Sequence, residues 1–313
     1  MATGCLDEAG AFLDWLLHAT RRTHPRLRVL YDVHGRADIP ERELDHLEGW
    51  RGSRPVRVGN RAHDQLQLDA YGQIVVAAGE FVRGGGRLDP AQARYLAELG
   101  PVVCRLWREP DAGIWEMRDH PRHFTHSKVL CWAALDCLVR LIGEGVLPGD
   151  AARFRDVRAE IAAWIEAECY DPDRGYIAAA GVPAADASLL TLPQYGYLDA
   201  RDPRFVRTFE TIDRELSVGD GLILRYRPGL DGLSGDEEAF GICSFWAVEA
   251  LARMGRREEA HRRMRVLLSH ASDLGFYAEE LERGTGRALG NYPQAFSHIG
   301  LILAAEALGR QAA

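Results

Sequence analysis

Apolar residues recur along the chain in two patterns, and each pattern predicts its own kind of α-helix. In the first pattern they return at intervals of three and four, which places them on one face of a helix while arginines and glutamates occupy the other. Three segments show this pattern: Ala9, Phe12, Leu13 and Leu16; Val157, Ile161, Trp164 and Ile165; and Ala260, Met264, Leu267 and Leu268. These segments are predicted to be amphipathic helices.

In the second pattern the apolar residues are almost continuous, as in residues 129–135, 242–248 and 299–305. A helix of this composition must be covered on most of its sides. Segments of this kind start near residues 62, 124, 187, 240 and 293. Their spacing is roughly 50 to 60 residues, the length of one helical hairpin with its loop. The chain is therefore predicted to repeat an α-α unit.

An inner ring of apolar helices inside an outer ring of amphipathic ones is an all-α fold, the α/α toroid. Strand signals are short, in residues 27–31 and 222–226, and both fall in long loops between outer and inner helices. Aromatic residues such as Trp50 and Trp115 lie in loops of the same kind, so a binding site is expected there. No low-complexity linker divides the chain, and residues 1–313 are predicted to form one domain.

Composition fits a chain with a large core, because 47% of its 313 residues are apolar and 27% are charged. A net charge of −8 and a pI near 5.8 disfavour nucleic acid or an anionic membrane as a partner. The start of the chain lacks the features of a signal peptide, and no apolar run reaches the roughly 18 residues of a membrane span. The six cysteines are dispersed without a CxxC pair, so reduced thiols and a cytoplasmic protein are expected.

Two glutamates in loops that lead into apolar helices are candidates for acid–base chemistry. Glu116 follows Trp115, and a carboxylate beside an indole is partly desolvated, which favours its protonated form and suits a proton donor. Glu279, in a more polar loop, would stay ionised and could activate a water. Two such carboxylates are what cleavage of a glycosidic bond requires. The alternative is that both are surface glutamates at helix starts.

Other common catalytic arrangements have weaker support. His120, His123 and His126 have the i, i+3 spacing that can bind zinc on a helix. Pro121 interrupts a helix at that point, however. Residues 84–86 are three glycines that predict a turn between helices rather than a phosphate-binding loop, and no nucleophile elbow is present. We therefore expect neither a metal nor a cofactor.

Four parts of the chain are similar, in the same order, to motifs of one enzyme family. They are residues 52–60 with 65–72, residues 110–116 with 122–128, residues 239–246, and residues 290–298. The second contains Gly-Ile-Trp-Glu at residues 113–116, and the last is Gly-Asn-Tyr-Pro-Gln-Ala-Phe-Ser-His. Together they resemble glycoside hydrolase family 15, which contains glucoamylases, glucodextranases and bacterial trehalases, over essentially the whole chain.

The resemblance implies an (α/α)6 barrel and hydrolysis of an α-glucosidic bond with inversion at the anomeric carbon. Glu116 takes the position of the general acid, and Glu279 takes that of the general base. Inversion requires the two carboxyl groups to lie about 6.5–9.5 Å apart, which leaves room for the attacking water.

The resemblance also implies four substrate-binding residues. Arg225 resembles the family arginine that holds hydroxyls of the terminal glucose, and Asp111 lies in the acid loop. Trp115 and Trp50 would be platforms for stacking against a glucose ring. Alternatives remain open: Arg225 would be a loop arginine paired with a nearby aspartate, and either tryptophan would belong to the core.

Compared with the family, the chain is expected to be incomplete. Family members carry an N-terminal β-sandwich and a first helical hairpin, whose Arg-Asp pair grips the non-reducing glucose, ahead of the part matched here. About ten of twelve barrel helices are therefore expected, and the open ring would expose an apolar patch. Without the Arg-Asp pair and the first hairpin, the isolated chain is expected to be weakly active or inactive.

Two functions remain in view. The first is an inverting, exo-acting glycoside hydrolase of the glucoamylase or trehalase type, acting on disaccharides or oligosaccharides of glucose. The second is a truncated, inactive remnant or part of a split enzyme, which only binds sugar or a partner chain that completes the barrel.

Overall fold

Helices dominate the structure, a computed structural model that describes residues 3–219, 221–229 and 237–309. Nine α-helices lie within the described residues: α1 Leu6–Arg21, α2 Asp69–Arg83, α3 Pro90–Leu106, α4 Thr125–Gly143, α5 Ala152–Glu168, α6 Pro203–Leu216, α7 Gly241–Arg253, α8 Arg257–Ser269 and α9 Ala295–Gly309. The all-α prediction is confirmed, with nine helices in this part of the chain where about ten were expected. None of the described helices is long and apolar enough to cross a lipid bilayer.

The strands are short and pair locally. They are β1 Arg42–Glu43, β2 Arg57–Val58, β3 Tyr170–Asp171, β4 Gly175–Tyr176, β5 Ala239–Phe240, β6 Glu280–Leu281 and β7 Ala288–Leu289. β1 pairs with β2, and β3 pairs with β4, each antiparallel. β5, β6 and β7 form one antiparallel sheet in that order, with Phe240 opposite Glu280.

The chain divides into two compact units, of which the first holds residues 5–122 and 130–161. In this unit α1 packs against both α2 and α3. A Cβ atom at Gly72 of α2 would lie 2.4 Å from the carbonyl oxygen of Leu130, so only a glycine permits this close approach of two backbones.

The second unit holds residues 123–129 and the chain from residue 162 onward, together with a few residues at the N-terminus. Its centre is α7, which is buried at every position from Gly241 to Ala252 and packs against α8, α9 and the 3-10 helix Ala187–Thr191. α6 begins at Pro203, and the Asp202 side chain accepts a hydrogen bond from a backbone N–H of its first turn.

The three predicted amphipathic segments are α1, α5 and α8, but two of their apolar residues are exposed. Phe12 is 61% exposed, while Leu13 and Leu17 form the covered face of α1. Leu268 is 47% exposed because it lies about 100° around the helix from the buried Leu267. The prediction that these two residues face the core is wrong.

The predicted starts of the apolar helices agree with the structure at three of the five places. α4, α7 and α9 begin within two residues of the predicted positions. The segment near residue 62 is first a short 3-10 helix, Arg61–Asp64, and α2 begins only at Asp69. The segment near residue 187 is the 3-10 helix Ala187–Thr191, which cannot continue because Pro193 has no N–H to donate.

Neither of the two segments with strand signals forms a regular β-strand. Residues 27–31 form no strand, because side-chain oxygens satisfy their backbone: Leu27 N donates to the hydroxyl of Tyr71, at 3.0 Å. Residues 222–226 pair only through isolated bridges, Ile223 with Ser217 and Tyr226 with Asp186.

One side of α9 is apolar and uncovered, although its sequence predicted burial on most sides. Ser297, Gly300, Ala304 and Leu308 are buried. Phe296, Ile299 and Ile302 are 57%, 47% and 41% exposed. They are spaced three apart and form one apolar face, called the α9 face below.

Candidate functional site

Glu116 lies in a loop that the first unit holds in an unusual backbone conformation. Asp111 and Arg122 close the base of the loop as an antiparallel bridge. Glu116 has φ of 56°, in the left-handed region that residues with a side chain rarely adopt. Such conformations cost about 1–3 kcal/mol and persist where the surroundings impose them, often at functional sites.

Two side chains from the preceding loop hold Glu116. The Gln65 Nε2 group donates to the carbonyl oxygens of Glu116 and Met117, at 3.3 Å and 3.1 Å. The Asn60 Nδ2 group donates to Glu116 Oε2, at 3.0 Å. Glu116 is half-buried, so its side chain keeps access to solvent. One of its carboxyl oxygens is fixed by the Asn60 amide.

The two predicted sugar platforms differ in exposure. Trp115 is half-buried beside Glu116. Trp50 is 60% exposed, so it is not part of the core, and the guanidinium of Arg51 lies 4.7 Å from its ring centroid. One face of this indole is therefore already occupied by a cation.

Asp111 is completely buried, and its Oδ2 accepts a hydrogen bond from the backbone N–H of Leu68, at 2.9 Å. It thereby stabilises the start of α2, a contact that the sequence did not indicate. Asp69 in the first turn of α2 is buried as well, and burial together with the nearby charge of Asp111 raises the pKa of Asp69 to about 7.

In the second unit, Glu279 is surrounded by hydrogen-bond donors. Its Oε2 accepts from the backbone N–H and from the Nδ2 group of Asn291, each at 2.9 Å. Its Oε1 accepts from Gln294 Nε2, at 3.2 Å. These donors fix the orientation of the carboxylate and complement a negative charge on it.

The backbone around Glu279 is held equally firmly. Its carbonyl oxygen accepts from Gly241 N, at 2.8 Å, where α7 begins, and its N–H donates to the carbonyl oxygen of Asn291. Gly290 has φ of 70°, and a Cβ atom there would lie 2.6 Å from Glu279 Oε2. Only glycine fits beside this carboxylate.

Arg225 is paired with a carboxylate, but the partner is Glu237 rather than an aspartate. The Nε and Nη2 groups of Arg225 both donate to the Glu237 carboxylate, Nη2 at 3.1 Å. The guanidinium also lies over the rings of Tyr226 and Phe240. Burial alone would lower the pKa of the Arg225 guanidinium, but the hydrogen bonds to Glu237 outweigh this effect, and the pKa is raised.

Glu280 lies on the other side of the same arginine, with Oε1 3.5 Å from Arg225 Nη2. Burial raises the pKa of Glu280 to about 7; Arg225 opposes the change, while Glu237 and Glu279 add to it. Arg225 therefore stands between two carboxyl groups, of which one can be protonated near neutral pH.

Sequence reasoning named the two glutamates and Arg225 as candidates but did not name the residues that hold them. Asn60, Gln65, Asn291 and Gln294 lie inside the matched motifs, yet nothing in their spacing indicated a contact with a carboxylate. Glu237 was missed because it is twelve residues from Arg225 and in no periodic pattern. Among the described residues no cluster of His, Cys, Asp and Glu is arranged to hold a metal ion.

The family model for glycosyl hydrolases family 15 matches the chain over residues 1–267 and 256–306. The chain is 38% identical over 306 residues to a trehalase of Thermoplasma acidophilum and 43% identical over 284 residues to a trehalase of Mycolicibacterium smegmatis. These matches cover 97% and 89% of this chain but 52% and 42% of the relatives. The chain thus spans about half the length of the curated relatives it matches.

Solved structures show a likeness of fold. A wild-type glycosidase has a TM-score of 0.75 at 21% identity, covering 98% of this chain and 84% of the other. A bacterial glucoamylase in complex with acarbose has a TM-score of 0.71 at 14% identity, covering 98% of this chain and 48% of the other. At such identities the likeness establishes the fold alone, and the predicted (α/α)6 type of fold is confirmed.

Proposed function

Because the chain belongs to glycosyl hydrolases family 15, we propose that it hydrolyses α-glucosidic bonds with inversion, by general acid and general base catalysis. The observation that carries this proposal is the contrast between two glutamates. Glu279 has donors on both oxygens, which suits a carboxylate that remains charged. Among the residues that the structure describes, Glu116 has a donor on one oxygen only, which leaves the other for a proton.

The proposed mechanism gives each glutamate one proton to move. Glu116 donates its proton to the glycosidic oxygen as the bond from that oxygen to the anomeric carbon breaks. Glu279 takes a proton from a water, whose oxygen attacks the anomeric carbon from the opposite face of the sugar. The donors of Asn291 and Gln294 hold the base in one orientation during this step.

Arg225 and the tryptophans are proposed to bind the sugar. Trp115 beside the acid would support a glucose ring, and the exposed Trp50 would do so after Arg51 moves from its face. Arg225 would reach hydroxyls while Glu237 holds it. For Asp111, which is buried, the proposed contribution is indirect: it supports the loop that carries Glu116.

Trehalose is the substrate that we propose first, because the curated relatives are named trehalases. Glucose oligosaccharides come second, because a glucoamylase shares the fold. A cytoplasmic location belongs to the proposal as well. Five of the six cysteines are buried, and burial raises the pKa of the Cys137 and Cys169 thiols to about 11, which suits a reducing compartment.

Substitution of the two glutamates tests the assignment. Glu116→Gln and Glu279→Gln should each lower kcat for trehalose or maltose by about 100-fold or more, since each removes one proton transfer. Glu98→Gln, at a surface position of α3, is the matched control and should leave kcat unchanged. Glutamine variants as active as the control would refute the assignment.

A second candidate function is favoured by the α9 face. Phe296, Ile299 and Ile302 are an apolar surface that a further helical segment or a partner chain would cover. In that case the chain is one part of a larger enzyme and only binds sugar by itself. Glucose or trehalose binding by calorimetry without any hydrolysis at high protein concentration would favour this candidate over the first.

A further inference from the structure

The side chain of Asn60 is fixed at both of its ends. Its Oδ1 accepts from the backbone N–H of Ala62, at 2.8 Å, and so begins the 3-10 helix Arg61–Asp64. Its backbone N–H donates to the carbonyl oxygen of Ile39. Because the amide oxygen is already used by Ala62, the amide nitrogen is the atom turned toward Glu116, at 3.0 Å from Oε2.

An amide NH2 group can only donate a hydrogen bond. In a protonated carboxyl group the carbonyl oxygen is the better acceptor, so a bond accepted on Oε2 favours the proton on Oε1. The other nearby amide, Gln65, donates to carbonyl oxygens of the backbone and does not compete for the carboxyl oxygens. The cation two residues along the chain, Arg118, is paired with Glu41 at 3.4 Å.

We propose that Asn60 is a positioning residue that directs the acid proton of Glu116 to Oε1 and compensates the charge left on the carboxylate once that proton has moved. This inference rests on the acid role proposed above. The left-handed backbone of Glu116 fixes where the side chain starts, and Asn60 fixes how its carboxyl group is turned. Together they leave one oxygen to deliver the proton to the glycosidic oxygen.

Two substitutions separate this role from the structural role of Asn60. Asn60→Asp and Asn60→Ser both keep an oxygen that can accept from Ala62, so the start of the 3-10 helix is preserved. Both remove the amide donor to Glu116, since an ionised aspartate can only accept and the serine side chain is one atom shorter than that of asparagine; only the aspartate places a second negative charge beside Glu116. Thermal unfolding of both variants is measured to show that the fold persists.

The readout is the titration of Glu116, followed by carbon NMR of protein with labelled glutamate carboxyl groups. Glu116→Gln identifies the signal. We expect Asn60→Ser to move this titration to higher pH, and Asn60→Asp to move it further, by about one pH unit or more, because a neighbouring charge adds to the lost donor.

Kinetics provide the second readout, in which kcat falls while KM stays nearly constant, because Asn60 acts on the acid. An unchanged Glu116 titration in both folded variants would overturn the inference. If the Asn60 variants shift the Glu116 titration but Glu116→Gln does not affect hydrolysis, the contact with Asn60 stands and the proposed function is refuted. The failure of the inference and the failure of the proposed function are therefore distinguishable.

Discussion

Gly290 lies so close to the Glu279 carboxylate that no side chain fits at this position. Gly290→Ala combines a left-handed backbone with a Cβ atom 2.6 Å from Glu279 Oε2, so the carboxylate must move. We expect kcat to fall by about 100-fold, since a misplacement of about 1 Å can have that effect.

Gly196→Ala is the matched control for this substitution. Gly196 has φ of 74°, close to that of Gly290, but no atom would lie within 4 Å of a Cβ added there. Both variants should lose about 1–2 kcal/mol of unfolding free energy to backbone strain. If Gly196→Ala loses as much activity as Gly290→Ala, strain rather than displacement of Glu279 is responsible.

Asp69 should make stability depend on pH. Its pKa of about 7 in the folded chain lies above the ordinary aspartate value of 3.8, so between these values the folded state binds more protons than the unfolded state. The free energy of unfolding should therefore decrease as pH rises from about 4 to 7, by at most about 1.4 kcal/mol per unit from this group.

Asp69→Asn removes this titration and should flatten the decrease. The measurement is urea unfolding at several pH values for both proteins. Equal slopes would mean that Asp69 ionises as readily in the folded chain as in the unfolded one.

At the scale of elements, the local pattern of apolar residues predicted the starts of three helices to within two residues. α4, α7 and α9 begin where the apolar runs begin. α2 begins seven residues later than predicted, because Asn60 starts a 3-10 helix and buried Asp111, distant in sequence, accepts from Leu68 at the true start. A contact with a residue so far along the chain leaves no periodic signal.

In the candidate site, too, the local pattern was visible in the sequence while contacts between residues distant in sequence were not. Glu116 and Glu279 stood out because each lies in a loop that leads into an apolar helix, and Glu116 is also part of a matched motif. The partners that orient them could not be predicted, because hydrogen bonds such as Asn60 to Glu116 join residues 56 apart and depend on side-chain direction. Burial of Asp111 was equally invisible, since nothing in an acidic residue beside Pro110 indicates that it lies in a core.

The α9 face is the element whose exposure has a direct consequence. Ile302→Lys should reduce binding of an apolar dye such as ANS and leave the unfolding temperature nearly unchanged, because the side chain is 41% exposed. Ala304→Lys, at a buried position of the same helix, should lower the unfolding temperature strongly. Equal destabilisation by both would mean that Ile302 is covered.

At the scale of the whole molecule, both the length of the relatives and the exposed α9 face bear on whether the chain is one part of a larger enzyme. The chain spans about half of each curated relative, and an apolar surface of its second unit is uncovered. If the chain is one part of a larger enzyme, as proposed for the second candidate function, a further segment would cover the α9 face and contribute to substrate binding. The acid and the base would nevertheless come from this chain.

The stereochemistry of trehalose hydrolysis tests the central claim most directly. Proton NMR recorded during the first minutes distinguishes the anomers of glucose before they interconvert. Inversion at one anomeric carbon should release α-glucose and β-glucose in equal amounts, with the signal lost in Glu116→Gln and Glu279→Gln. Release of α-glucose alone would show retention, and would contradict the proposed acid–base pair.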